Sequence, residues 1–328
     1  MRVLVTGGKG FIGTHLVRRL AAAGHEVAVL DPNPGLGDAE LAALGVTLRA
    51  GSVSDPAAVE AAMPGTDVVY HLASPFGNIL LPAREYDDVE VRGTRLVLDA
   101  AERHRVRRVV HCSTQGVHGI IRGGVGDEDS PIAPRDHYCF SKSLGEAVCR
   151  EYVARGLDVV VVRPTSVYGP GDVRGWLSLY RMVSKGRFVM VGSGRTLNHP
   201  VYVDDLVDLF LRAADAPAAR GRTYIGGGDS AVTLTELVNA VAESLGIEVD
   251  IVRFPSYSVA WLGAAAVEFT CKPLGVKPPV FRRRLSWYRT NRAFRIDRAR
   301  SELGYDPQVS LRDGLARTSG WYRAHGYL

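Results

Sequence analysis

The sequence predicts an α/β fold: a doubly wound parallel sheet with a smaller α/β domain at its C-terminal side. Three observations predict it. The apolar run Val3-Leu4-Val5 enters a glycine turn, Gly7-x-x-Gly10-x-x-Gly13, and a helical apolar pattern follows at once. Short apolar runs then alternate with helical segments up to about residue 165, as helical crossovers between parallel strands require. Asp31, Ser74 and Thr114 stand where three of these runs stop, the edge at which open parallel sheets bind ligands.

Taken in order, the first helix carries Phe11, Ile12, Leu16, Val17 and Leu20 on one face. Gly7 permits a tight turn, Gly10 lets backbone approach a pyrophosphate, and Gly13 lets the helix lie close to the strand. The helix N-terminus offers unpaired N–H groups to phosphate oxygens. The spacing departs from G-x-G-x-x-G, and a plain glycine turn is the alternative. The second strand, 26–30, ends at Asp31, an acid placed to bond ribose hydroxyls. An acid repels a 2′-phosphate, and Pro32-Asn33 follow with no arginine adjacent, so the reading is NAD over NADP. A strand at 46–50 precedes Asp55, an N-cap for a helix at 56–63. The strand 67–72 closes on Ala73-Ser74, and a loop with Gly77 and Pro82 leads to a helix at about 88–104. A fifth strand, 108–112, ends in Ser113-Thr114.

An irregular loop runs from Gln115 to about residue 136. Tyr138-x-x-x-Lys142 then opens an amphipathic helix, on which residues four apart share a face. A lysine beside a tyrosine favours the phenolate, and a phenol tuned this way can exchange the proton of an alcohol during hydride transfer. Thr114 or Ser113 can hydrogen-bond the same oxygen. An exposed Tyr and Lys on a helix is the commoner reading of such a pair; its place after a complete dinucleotide unit favours chemistry.

The sixth strand, 158–163, leads into Pro164-Thr165-Ser166, a turn expected beside nicotinamide or substrate. The division expected is 1–165 for cofactor binding, with about 196–225 returning to it, and 166–328 mainly for substrate. Helices are expected at 176–185, 205–214, 233–245 and 311–325, and Gly226-Gly227-Gly228 reads as a strand-end turn. The stretch 259–271 is apolar around most of its circumference, the mark of a core helix; a substrate lid or an interfacial patch is the alternative. The basic residues Lys272, Lys277, Arg282, Arg283, Arg284, Arg289, Arg292 and Arg295 follow it. They suit an anionic membrane surface, an anionic substrate or simple solvation.

Composition narrows the function classes. The 328 residues are 46% hydrophobic, enough for a sizeable core, with no apolar run long enough to span a membrane. A net charge of +5 makes no case for nucleic acid. The four cysteines, Cys112, Cys139, Cys149 and Cys271, lack metal-ligand spacing and read as reduced thiols. No metal is expected. With no signal peptide before the first strand, a cytoplasmic protein is expected.

These motifs, in order and together, resemble the extended short-chain dehydrogenase/reductase superfamily over essentially the whole chain. Thr6-Gly7-Gly8-Lys9-Gly10-Phe11-Ile12-Gly13, Asp31, Asp55, His71-Leu72-Ala73-Ser74, Ser113-Thr114 and Tyr138-x-x-x-Lys142 carry the first half. Arg163-Pro164-Thr165-Ser166-Val167-Tyr168-Gly169-Pro170-Gly171, Val203-Asp204-Asp205 and Leu303-Gly304-Tyr305-x-Pro307 carry the rest. The resemblance implies a Rossmann fold and an NAD-dependent enzyme. Tyr138 would be its acid/base, Lys142 the residue on the nicotinamide ribose, and Thr114, with Ser113 as fallback, the hydroxyl on the substrate oxygen. Cofactor contacts would come from Gly7, Gly10, Phe11, Ile12, Gly13, Asp31, Ser52, Asp55, Leu72, Ala73, Ser74 and Pro164. Substrate contacts would come from Ser74, Gln115, Thr165, Ser166, His199 and Arg289. It also implies a homodimer formed through the helices 88–104 and 138–154.

The stretch 256–295 and His199-Pro200-Val201-Tyr202-Val203 resemble the 3β-hydroxysteroid dehydrogenase-like branch, which handles lipophilic β-hydroxy compounds. Nucleotide-sugar epimerases and dehydratases share the core motifs, and a non-catalytic dinucleotide sensor is a third class. Three positions depart from the usual pattern: Glu90 stands where many relatives have Asn, Ser52 where an acid is frequent, and Thr165-Ser166 where sugar-nucleotide enzymes usually carry Asn.

Overall fold

A computed structural model describes residues 1–35, 37–76, 81–121, 124–254, 256–276, 285 and 288–328. Gly77, Lys277 and Arg282 to Arg284 lie outside the described residues. The fold is built on a seven-stranded parallel sheet. Its strands in chain order are β1 (Arg2–Thr6), β2 (Glu26–Asp31), β3 (Thr47–Ala50), β4 (Val68–His71), β5 (Arg108–Cys112), β6 (Val159–Pro164) and, much later, Thr223–Gly226. Across the sheet the order is Thr223–Gly226, β6, β5, β4, β1, β2, β3. The order reverses beside β1, and Rossmann sheets bind ligands at that switch point.

The strands are apolar on both faces because helices cover both. Val3 and Val5 point to one face and Leu4 to the other, all at most 2% exposed. On the first face lie α1 (Phe11–Ala22) and a later helix, Val203–Asp215, which buries Leu206, Val207 and Phe210. On the second lie α2 (Pro56–Ala62), α3 (Thr94–Arg103) and α4 (His137–Ala154), which contribute Val59, Val97, Leu98, Val148 and Tyr152. Asp55 caps α2 through a bond from Ala57 N, with Pro56 at the first helical position, as its sequence predicts.

The helix expected at 88–104 is not one regular helix. A short helix, Ala83–Asp87, passes into a π-helical turn, Asp88–Gly93, and only then into α3. Periodicity alone does not reveal the extra residue of a π turn. Its consequence is local: it stands beside α4, and Gly145 has no side chain because a Cβ there would lie 2.6 Å from Glu90 O.

Residues beyond the sixth strand build a second layer with its own core. Tyr180, Leu237, Val241, Leu315 and Tyr322 pack together from the helices Leu177–Val183, Leu234–Leu245 and Leu311–Ala324, with Trp176 just before the first and Phe188 on the strand Arg187–Val191. A capping box between Thr233 and Glu236 starts the second of these helices. Gly226-Gly227-Gly228 is the strand-end turn expected, with Cβ positions at Gly227 and Gly228 blocked by His199 and Pro200 O.

The expectation of a core helix in the apolar stretch is corrected. The helix Tyr257–Cys271 buries only Ala264 and Glu268 among its described side chains, while Val259, Leu262 and Phe269 are 56%, 62% and 82% exposed. A helix apolar all round satisfies the pattern of a core element, but here it lies outside the two main cores. Ala264 touches a small cluster with Val191 and Leu285.

Phe210, fully buried between its helix and the sheet, tests this architecture. Phe210→Ala should lower unfolding stability by about 3–5 kcal/mol in chemical denaturation.

Candidate active site

The glycine turn packs β1 and α1 closer than any side chain allows. Gly7 has φ +71°, and a Cβ on it would lie 2.7 Å from Ala73 N; on Gly13 it would lie 2.3 Å from Gly7 O. A Cβ on Gly10 would meet only Gly7 O, at 3.2 Å. The first N–H groups of α1 have no partner within the helix. Gly10, Phe11, Ile12 and Gly13 all border one cavity of about 1880 Å³, large enough for a dinucleotide and a substrate together.

Asp31 closes one end of that cavity. Its carboxylate accepts from Lys9 N at 3.2 Å and Asn33 N at 3.0 Å, which fixes its direction. The sequence places no arginine beside Asp31, yet folding brings Lys9 and Arg18 into the same lining. Both are answered by acids: Lys9 Nζ lies 3.0 Å from Asp38 and Arg18 lies 2.5 Å from Glu40. The cavity here continues over Leu30, Ser52 and Val53. Asp55 does not line it. Its carboxylate is exposed and bonded to the helix it caps, away from the cavity expected to hold the cofactor.

At the other end the ends of β4, β5 and β6 converge with the start of α4. Asp136 caps α4 by accepting from Cys139 N at 2.8 Å, which sets Tyr138 in the first turn. Tyr138 borders the cavity with Phe76 and Tyr86 rings near it, their centroids 5.5 and 6.2 Å away. Thr114 Oγ1 accepts from Gly116 N at 3.1 Å, leaving its hydroxyl proton for another acceptor. Ser113 is engaged differently: its hydroxyl donates to Glu146 at 2.5 Å, and Glu146 is held by Arg163 through bonds of 2.8 and 2.6 Å. Ser113 therefore belongs to a buried ion-pair network, and Thr114 is the better-placed hydroxyl.

Lys142 is buried at 2% exposure. Its Nζ donates to Cys112 O at 2.7 Å and lies 2.8 Å from Glu90, which is fully buried on the π turn. Ser74 donates to the other Glu90 oxygen at 2.7 Å. Burial raises the Glu90 pKa, and Lys142 opposes that rise. Beneath this group, burial and then the Lys142 charge lower His71 to about 3 and hold His111 well below its ordinary value, so both are neutral. Glu90 was not among the residues expected to form the site; its departure from Asn was the available signal.

The remaining wall comes from the strand ends and from the second layer. Pro164, Thr165, Ser166 and Gln115 line it, as do Leu72, Ala73 and Ser74. Tyr257, Trp261, Phe188 and Tyr288 add an aromatic face, and Arg289 lies with its guanidinium 5.0 Å from the Tyr257 ring centre. His199 is absent from the cavity. It is 2% exposed, bonds Gly228 O at 2.9 Å and accepts from Phe294 N at 3.3 Å, and burial lowers its pKa. It ties two loops together, which corrects its expected substrate role.

The model of the NAD dependent epimerase/dehydratase family matches residues 3–226. The chain belongs to that family. It is 31% identical to dTDP-glucose 4,6-dehydratase of Streptomyces niveus, over 98% of this chain and 93% of that one. It is also 31% identical to 3beta-hydroxysteroid-dehydrogenase/decarboxylase isoform 1 of Arabidopsis thaliana, over 96% and 78%. Identity to 2-alkyl-3-oxoalkanoate reductase of Stenotrophomonas maltophilia is 30%, over 97% and 98%. Among solved structures, the dTDP-glucose 4,6-dehydratase DesIV of Streptomyces venezuelae, with NAD and TYD bound, superposes with a TM-score of 0.78 at 30% identity. That match covers 99% of this chain and 97% of the other.

This family member is thus an NAD-dependent enzyme of the extended short-chain dehydrogenase/reductase superfamily. Its residues fit the cofactor: a glycine cradle open at Gly10, a helix N-terminus beside it, and a fixed acid at the ribose end. The acids at that end repel a 2′-phosphate. Replacing two of them, in Asp31→Ala/Asp38→Asn, should free Lys9 and improve NADP binding relative to NAD roughly tenfold or more, read by ligand titration.

Proposed function

We propose that this protein interconverts a secondary alcohol and a ketone on a lipophilic substrate, β-hydroxyacyl or sterol-like, by hydride transfer. The observation that carries this reading is the single cavity that joins the Asp31 end to Tyr138, Lys142 and Thr114 and then to an aromatic wall. Bound NAD supplies the hydride acceptor. Tyr138 takes the hydroxyl proton as the alcohol is oxidised, or returns it to the ketone oxygen. Thr114 donates a hydrogen bond to the same oxygen. Lys142 holds the nicotinamide ribose and favours the phenolate. Gln115, Thr165, Ser166 and Arg289 are the proposed substrate contacts, with Tyr257 and Trp261 beside the alkyl or ring portion. The oxoalkanoate reductase and the hydroxysteroid dehydrogenase, named for lipophilic compounds, support this class.

The dTDP-glucose 4,6-dehydratases are the competing relatives, and Arg174, Arg289 and Arg292 in the cavity suit an anionic diphosphate. A dehydratase needs a further acid/base pair to remove water from the sugar. Gln115 and Gly116 follow Thr114. The lining carboxylates away from the adenosine end, Asp136 and Asp172, are bound to backbone N–H groups of Cys139 and of Arg174, Gly175 and Trp176. That favours simple redox chemistry.

A panel of β-hydroxyacyl compounds, sterols and sugar nucleotides decides the matter. Rising nicotinamide absorbance with an alcohol marks a dehydrogenase, whereas turnover without net absorbance change marks an epimerase or dehydratase. Tyr138→Phe should bind NAD normally and lose turnover by about 10²–10⁴-fold.

A cytoplasmic homodimer through α3 and α4 is part of the same proposal. Phe140 and Leu144, four apart on α4, are 46% and 36% exposed, as a helical interface requires. Light scattering should return twice the chain mass, and Leu144→Arg should shift it towards one. No helix among the described residues is long and apolar enough to cross a membrane.

A further inference from the structure

Glu90 is a buried charge for which the chemistry above has no use. It stands on the π turn and is fully buried, with Gly145 of α4 close behind its backbone. One carboxylate oxygen accepts from Ser74, and the other lies 2.8 Å from Lys142 Nζ. An ammonium has three N–H donors. Cys112 O takes one of them, Glu90 lies beside the ammonium as its ion-pair partner, and Lys142 borders the cavity.

Around this pair the other buried groups are neutral or paired: Glu146, one turn further along α4, is held by Arg163. His71 on β4 and His111 on β5 are held neutral, and burial pushes the Cys112 thiol up to about 11. His71 bonds Thr6 and, on α3, Thr94, whose hydroxyl also donates to Glu90 O. Tyr138 is one turn before Lys142 on α4. On the outer side of the turn, Asp88 pairs with Arg92, and Asp87 with His137 and Ser141. With Glu146 taken up by Arg163, Glu90 is the carboxyl group that lies against Lys142.

We propose that Glu90 is a positioning residue for the Lys142–Tyr138 pair: its carboxylate aims the ammonium and cancels part of the positive field felt by the Tyr138 phenol. A neutral amide at this position would still bond the ammonium but would leave its field uncancelled. The inference rests on the reading of Tyr138 as the acid/base.

The test uses Glu90→Gln and Glu90→Asn in the full chain. The ionisation of Tyr138 is read directly, as the tyrosinate absorbance difference between each protein and its Tyr138→Phe counterpart across pH. Removing the carboxylate should move this ionisation down by about one pH unit or more. The rising limb of alcohol oxidation against pH should move with it, for whichever panel alcohol is turned over. An unchanged or upward-shifted ionisation in a folded variant overturns the proposal. The Asn variant supplies the same reading where Gln does not fold, since its shorter amide needs less room in the buried site. If Tyr138→Phe instead keeps full turnover, the acid/base reading fails, while the absorbance titration still reports on Glu90.

Discussion

The contact on which the rest depends is the approach of the glycine turn to its neighbours. With Gly7 against Ala73 and Gly13 against Gly7 O, β1, the start of α1 and the end of β4 meet at one point. No side chain fits between them, so the helix N-terminus opens towards the carboxyl edge of the sheet. A dinucleotide on that N-terminus would meet Asp31 with its ribose end, and the lining residues past β4 and β5 would take its other end. Thr114 and Ser74 are within reach because the sheet brings their strand ends to that edge, and Tyr138 because α4 starts beside them.

Beneath that edge the protein holds two buried ion pairs, each joined to a serine. Arg163 and Glu146 engage Ser113, and Lys142 and Glu90 engage Ser74. Removing charges from water is costly, and a buried pair is retained only with good geometry and further hydrogen bonds. Both pairs meet that requirement, the first by a two-point guanidinium contact and the second by Cys112 O and the serine. They differ in position. Glu146 stiffens the floor between β6 and α4, whereas Glu90 touches the lysine that borders the cavity.

The far wall follows different physics. The helix Tyr257–Cys271 faces water with large apolar side chains and turns Tyr257 and Trp261 towards the cavity. Its exposed apolar surface lies beside the end of the cavity assigned to substrate. A mobile or lipid-facing role was one of the alternatives its composition left open, and the core role is the one that tertiary packing removes.

The parallel doubly wound sheet, the glycine turn and the Tyr138–Lys142 pair were legible in the sequence because each rests on local pattern. Strand, turn and helix adjacent in the chain specify one another, and residues four apart on a helix share a face in any context. Asp31 and Thr114 were legible for the same reason, as residues at the ends of apolar runs. What tertiary structure decided involves partners far apart in the chain. Lys9 and Arg18 reach Asp38 and Glu40 only after folding, His199 closes on Phe294, and Ser113 turns to Glu146. Glu90 enters the site through an extra residue in a helical turn, and apolar periodicity carries no mark of that. Local pattern sets which groups the chain can offer. Which of them are paired, buried or open to a ligand depends on distant charges and surfaces brought together by packing.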